Sequence, residues 1–218
     1  MKSLGVDTKS YYKFHAKIYD LTRWAFLFGR KTMVKNIVEL KPSLVLEVGC
    51  GTGSNLMLLK KQAPHVRCIG LDTSPDMLNL ARQKSKDSGI EWILGEYSAQ
   101  SLDPVLATSE APDVILFSYA LSMFNPGWEE SVELAHRQIK PNGRVCIVDF
   151  HYSKYIWFRK WMQMNHVRLG MPLLYKVSAL AELELAHSQS GFLGLWNWIA
   201  LMSCPVGLKN GDSMAELL

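Results

Sequence analysis

Three glycines at alternate positions, Gly49, Gly51 and Gly53, follow directly on the short apolar run Leu44 to Val48. A near-continuous apolar run of this kind reads as a strand buried on both faces. Glycines placed just after it let the backbone turn tightly and pass close to a ligand at the strand's carboxyl end. Helical spacing resumes over 53–62, so the glycine turn joins a strand to a helix. The dinucleotide form of such a turn needs G-x-G-x-x-G, but Ser54 stands three places after Gly51, so a pyrophosphate cradle is not met. Glu47, before the first glycine, opposes a bound phosphate and suits a ligand carrying an ammonium group.

Strand and helix patterns alternate from there. Strands are expected over 43–48, 66–71, 90–94, 113–119 and 144–150. Helices are expected over 53–62, over 74–87 behind the Ser74-Pro75 start signal, and over 128–139. Such alternation predicts a mostly parallel, twisted α/β sheet with helices on both faces. Two helical stretches, 11–20 and 24–40, precede the first strand. Beyond Phe150, 155–167 and 172–183 read as helices, and 183–189 with 193–202 as a closing antiparallel hairpin. With 218 residues, 48% hydrophobic and 20% charged, the chain reads as a single globular domain. Its parts are an N-terminal helical lid (1–41), a ligand-binding core (43–150) and a substrate-facing and closing region (151–218).

The formal charge of +4 is unevenly spread. Residues 1–41 hold nine Lys/Arg against three acids, and 150–181 hold Lys154, Arg159, Lys160, Arg168 and Lys176 with no acid. The positive field is therefore local. Cys50, Cys68, Cys146 and Cys204 fit no zinc spacing, so no metal is expected. No signal-peptide pattern and no long apolar span are seen, which predicts a cytoplasmic protein that does not cross a membrane.

Two acids extend the glycine signal. Asp72 closes the second strand about 20 residues past the turn, where a carboxylate accepts hydrogen bonds from ribose hydroxyls. Glu96-Tyr97 follows the third strand, where a carboxylate meets an adenine amino group. Together these features resemble motifs I to III of the Rossmann-like class I S-adenosylmethionine-dependent methyltransferases. The resemblance implies S-adenosyl-L-methionine as cofactor, with Glu47, Gly49, Gly51 and Thr52 at its methionine end and Asp72 and Thr73 on the ribose. It also implies Met77 and Tyr97 against adenine, Glu96 on the exocyclic amine, and Ser118 and Arg30 as further contacts.

A narrower resemblance rests on Ile18-Tyr-Asp20, Phe28-Gly-Arg30, Phe117-Ser-Tyr-Ala-Leu-Ser-Met123, Val148-Asp-Phe150 and His166-Val. These segments resemble bacterial betaine-lipid N-methyltransferases of the BtaB type. That implies methylation of diacylglyceryl-homoserine to its trimethylated lipid, with a separate enzyme making the homoserine lipid. Phosphatidylethanolamine and quinone or other small-molecule methyltransferases are the alternatives in the same class. A non-catalytic cofactor-binding regulatory subunit is the alternative outside it.

Methyl transfer to an amine needs positioning, desolvation and a proton acceptor rather than a nucleophilic side chain. A quaternary ammonium product favours aromatic walls. Tyr119 at the end of strand four and Tyr19, with Tyr11 and Tyr12, are the candidates for those walls. Each reads equally as a packed aromatic. His151 and His166 are candidate proton acceptors, or else ordinary surface histidines. Tyr152, Tyr155, Trp157, Phe158 and Trp161 interleave with Lys154, Arg159 and Lys160, a mixture suited to an anionic membrane surface. The same rings are equally suited to burial against the sheet. No nucleic-acid partner is expected, since 118–121 reads Ser-Tyr-Ala-Leu rather than Asn-Pro-Pro-Tyr.

Overall fold

The computed structural model describes residues 27–98, 111–124 and 126–205. The helix expected over 11–20, with Tyr11, Tyr12 and Tyr19, lies outside the described residues, as do 24–26 and the tail after Pro205.

The described chain runs α1 (Arg30–Glu39), β1 (Leu44–Val48), α2 (Ser54–Gln62), β2 (Arg67–Asp72), α3 (Pro75–Lys84) and β3 (Glu91–Leu94). It continues with β4 (Val114–Ser118), a short 3₁₀ turn (Leu121–Met123), α4 (Trp128–Gln138), β5 (Arg144–Tyr152), α5 (Ile156–Met164) and α6 (Leu173–Leu180). β6 (Ala181–Ser190) and β7 (Asn197–Pro205) complete it.

One sheet of seven strands forms in the order β3-β2-β1-β4-β5-β7-β6. The strands from β3 to β5 are parallel, with Val48 opposite Leu71 on one side and Phe117 on the other. β7 runs antiparallel between β5 and β6. This is the Rossmann-like methyltransferase fold, and the expected C-terminal hairpin is its closing element. The order of strand addition reverses between β1 and β4, so the crevice at the carboxyl ends of those strands is where such a sheet takes a ligand.

Both faces are covered. Met33, Val34 and Ile37 of α1, Leu56 and Leu59 of α2 and Phe158 and Met162 of α5 share one core with the sheet. Trp128, Val132 and Ala135 of α4 and Leu173 and Val177 of α6 build the other.

Local chemistry sets the element ends. Ser74 Oγ accepts from Met77 N at 3.3 Å and Pro75 follows, so α3 starts as expected. α5 stops at Met164 because His166, at φ 61°, takes the left-handed position. Val167 N then reaches Met162 O and His166 N reaches Gln163 O, each at 3.0 Å. The helix expected over 172–183 ends at Leu180, where Ala181 turns extended and enters β6. The strand expected over 193–202 starts later, at Asn197, because 192–194 form a tight turn with Leu193 at φ 50°. β5 runs two residues longer than expected, through an irregularity at His151.

Candidate active site

The glycine turn has its shape because Gly49, Gly51 and Gly53 all take positive φ, at 69°, 55° and 75°. A side chain at Gly53 would put its Cβ 2.1 Å from the Trp92 ring, and one at Gly49 would meet Ala120 Cβ at 2.6 Å. The turn is pinned by Gly49 N and Cys50 N on Leu71 O, at 2.9 and 3.0 Å.

Asp72 is the keystone of this edge. Its Oδ2 accepts from Gly51 N at 2.7 Å and its Oδ1 from Ser74 N at 2.9 Å. One half-buried carboxylate thus staples the glycine turn to the start of α3. Each carboxylate oxygen offers two acceptor sites, so both keep one for the hydroxyls of a ribose. Thr73 beside it is exposed and Met77 is half-buried on the first turn of α3. Thr52 is buried, its Oγ1 3.4 Å from Ser54 Oγ. Glu96 is exposed just past β3. Donors and acceptors along this edge fit a nucleoside with an amino-acid end.

Two of the expected contacts, Glu47 and Tyr97, are already bonded within the protein. Glu47 is 1% exposed and its Oε1 accepts from Asn55 Nδ2 at 2.7 Å, so the carboxylate ties β1 to α2 from beneath the turn. Tyr97 is half-buried just past β3. Its hydroxyl donates to Gln138 Oε1 at 2.8 Å and its ring meets Phe117 edge-on at 5.8 Å, because the apolar face under α4 offers the ring more burial. Cys50 within the turn is buried, and burial, with the charges of Glu47 and Asp72 adding to it, pushes its thiol far above the usual range.

The β4–β5 edge carries the remaining residues. Ser118 Oγ is buried at the end of β4 with no hydrogen-bond partner among the described residues. Tyr119, at φ 55° and 2% exposed, donates its hydroxyl to Phe28 O at 2.9 Å and packs edge-on against Phe150 at 4.7 Å. Burial raises the phenol's pKa, Asp149 adding to the rise and nearby Arg30 opposing it. The Tyr119 ring is thus packed in the core and its hydroxyl is already engaged by the Phe28 carbonyl.

His151 sits at a bulge, since Phe150 pairs with Trp198 and Tyr152 with Asn197. Bulges re-aim the side chain they carry. Its Nδ1 is buried with no partner among the described residues, while its carbonyl accepts from Gly170 N at 2.7 Å. His166 is exposed and lines a separate cavity beside α5.

Asp149 was not anticipated. It is fully buried on β5, and Oδ2 accepts from Ser122 N at 3.0 Å while Oδ1 accepts from Phe150 N at 2.7 Å. It holds the 121–123 turn against β5. A charged residue inside the apolar run Val145 to Phe150 was the available signal.

Residues 45–143 match the family described as "Methyltransferase domain". A demethylmenaquinone methyltransferase of Thermotoga maritima is 41% identical over 86 residues, covering 37% of each chain. One from Thermus thermophilus is 28% identical over 137 residues, 61% of this chain and 60% of that protein. The chain thus spans less than two thirds of these relatives' lengths. Among solved structures, an O-methyltransferase family protein from Burkholderia thailandensis superposes with TM-score 0.62 at 16% identity, covering 94% of this chain and 62% of the other. An N-methyltransferase of Bradyrhizobium japonicum with bound S-adenosyl-L-homocysteine gives 0.56 at 17%, covering 75% and 78%.

Fold, turn and matched stretch agree: the chain has the Rossmann-like, class I methyltransferase fold and over residues 45–143 is similar to the methyltransferase-domain family. The cofactor of that class is S-adenosyl-L-methionine.

Proposed function

We propose that the chain is an S-adenosylmethionine-dependent N-methyltransferase acting on the amino group of a membrane lipid, diacylglyceryl-homoserine, and giving its trimethylated betaine lipid. When bound, the cofactor supplies an electrophilic methyl group on a sulfonium. Asp72 holds the ribose with its two remaining acceptor sites, the Gly49–Gly53 turn lies under the amino-acid end, and Met77 and Glu96 flank the base. His151 Nδ1 accepts the proton that the acceptor nitrogen loses on gaining a methyl group. The rings of Tyr119 and Phe150 back the site where positive charge collects.

The observation that carries the lipid reading is the outer face of α5. Phe158 and Met162 turn inward, while Ile156, Trp157, Trp161 and Met164 are 61%, 57%, 47% and 80% exposed. Lys154 and Lys160 flank them and are exposed too. Apolar side chains at helical spacing beside bases, in a segment without acids, suit the interface of an anionic bilayer, each base adding about 1 kcal/mol. No helix among the described residues is long and apolar enough to span a membrane, so the contact is peripheral.

Expression with and without an enzyme that makes the homoserine lipid, followed by lipid mass spectrometry, tests this reading. Methylated homoserine lipid should appear only when both are present, and its absence removes the proposal. The names of the relatives favour a second reading, a quinone acceptor. Feeding a demethylated quinol or phosphatidylethanolamine to the same extract separates the three. Cofactor binding by calorimetry without labelled-methyl transfer to any of them would instead identify a regulatory subunit.

A further inference from the structure

A cavity of about 870 Å³ opens between α5, the 165–169 loop and the 121–123 turn. Its lining comes from segments that follow β4 and β5 in the chain. Its volume is in the range that takes a small organic ligand. Arg159, Arg168, His166 and Gln163 bring polar donors to its wall, Met123 is among its apolar contributors, and no described lining residue is acidic.

Several bases of the molecule are held in ion pairs with nearby acids. Arg67, Lys140, Arg144 and Lys176 are paired with Glu91, Asp113, Glu184 and Glu133. Neither Arg159 nor Arg168 forms an ion pair with a described residue. Arg159 Nη1 donates to Ser153 O at 3.1 Å, which fixes the fork and leaves its other donors available. The loop bearing Arg168 is held at both ends, by Arg168 N on Ser122 O and by Gly170 N on His151 O, each at 2.7 Å. That second bond ties the cationic wall to the histidine assigned above as proton acceptor.

We propose that this cavity binds the anionic group of the acceptor, a carboxylate or a phosphate, and so selects amines that carry such a group. A fork-shaped donor pair with uncompensated charge recognises planar or tetrahedral oxyanions and gives an uncharged acceptor no comparable hold. The inference deepens the lipid-amine reading and rests on it for the acceptor's identity. The anion site itself is tested independently.

The test uses Arg168→Gln, with Arg168→Lys as the conservative variant and Lys86→Gln as a control for loss of charge. Each full-length protein, saturated with S-adenosyl-L-homocysteine, is titrated calorimetrically with inorganic phosphate, with a short-chain diacylglyceryl-homoserine, with its carboxyl methyl ester and with a short-chain phosphatidylethanolamine. Arg168→Gln should weaken binding of the anionic probes by about tenfold or more, Arg168→Lys should recover part of it, and Lys86→Gln should match the parent. The ester and homocysteine nucleoside affinities should not move, and for a turned-over acceptor KM should rise with little change in kcat. Weakening confined to the homoserine lipid identifies a carboxylate site, and weakening confined to phosphate and phosphatidylethanolamine a phosphate site. Unchanged affinity for every anionic probe, or equal weakening of the ester, overturns the proposal. Loss of phosphate binding in Arg168→Gln with no amine turned over leaves the anion site standing and removes the lipid-amine reading instead.

Discussion

Asp149 lies between Val148 and Phe150 with no solvent around it, so its charge is stabilised by hydrogen bonds alone, from the backbone of Leu121, Ser122 and Phe150 and from the Ser122 side chain. Burial outweighs those bonds and pushes its carboxyl up to about 6. The unfolded chain ionises at the lower, ordinary value. The group's contribution to stability is therefore complete below that value and is lost as pH rises through about 6. The urea midpoint should fall as pH rises from about 4 to just above 6, by an amount on the order of 3 kcal/mol in stability. Asp149→Asn should flatten that slope, and an unchanged slope would contradict the assignment. Asp72 behaves differently, because its carboxylate is bound to backbone before any ligand arrives. Asp72→Ala should remove nucleoside binding and also lower the stability of the ligand-free protein by about 1–3 kcal/mol, the usual toll of orphaning buried donors. Denaturation without ligand measures the second effect separately from the first. The place of Asp72 at the end of β2 follows from its spacing behind the glycine turn. Its stapling role does not, because Ser74 and Gly51 meet it only once the turn has formed.

At the scale of elements, α5 carries two separable features. Its end depends on His166 holding a left-handed conformation that costs a side chain about 1–2 kcal/mol. His166→Gly should therefore raise the unfolding midpoint, by up to about 1 kcal/mol in stability, and an unchanged or lower midpoint would contradict that account. Its outer face touches the core through Phe158, which Trp157 and Trp161 each meet at 5.7 Å. Trp157→Ser with Trp161→Ser should leave the thermal midpoint and nucleoside affinity intact while reducing flotation with anionic vesicles, since neither ring fills the interior. Alternation of aromatic and basic residues made this helix visible in the sequence. Which rings turn inward was not visible, because Trp157 and Phe158 are adjacent and only the sheet beneath decides between them.

Across the whole molecule, the regular alternation from Leu44 to Phe150 was legible because parallel strands buried on both faces leave nearly continuous apolar runs, and the helix after β2 has the Ser74-Pro75 start signal. The hairpin was harder to bound. β6 is largely exposed, so its pattern is weak, and β7 opens after a turn whose Leu193 takes a conformation no propensity anticipates. Features that arise from distant contacts were not legible. The Tyr97 ring chose the α4 side, the bulge freed His151, and the 165–169 loop closed a cavity from residues that look scattered in the chain. A ligand that bridges the glycine turn, β2 and α3 should stabilise the fold as one unit. S-adenosyl-L-homocysteine at about a hundred times its dissociation constant should add roughly 2.7 kcal/mol, seen as one cooperative shift in melting, and two separate transitions would contradict it.

The grip of Asp72 on Gly51 and Ser74 also bears on how the nucleoside arrives. A carboxylate already frozen in one rotamer loses little freedom when it meets the sugar, and the turn it braces has nothing left to fold. Association at this edge should then resemble a key entering a finished mould. Stopped-flow mixing should give a single phase whose rate climbs linearly with ligand concentration and reaches no plateau.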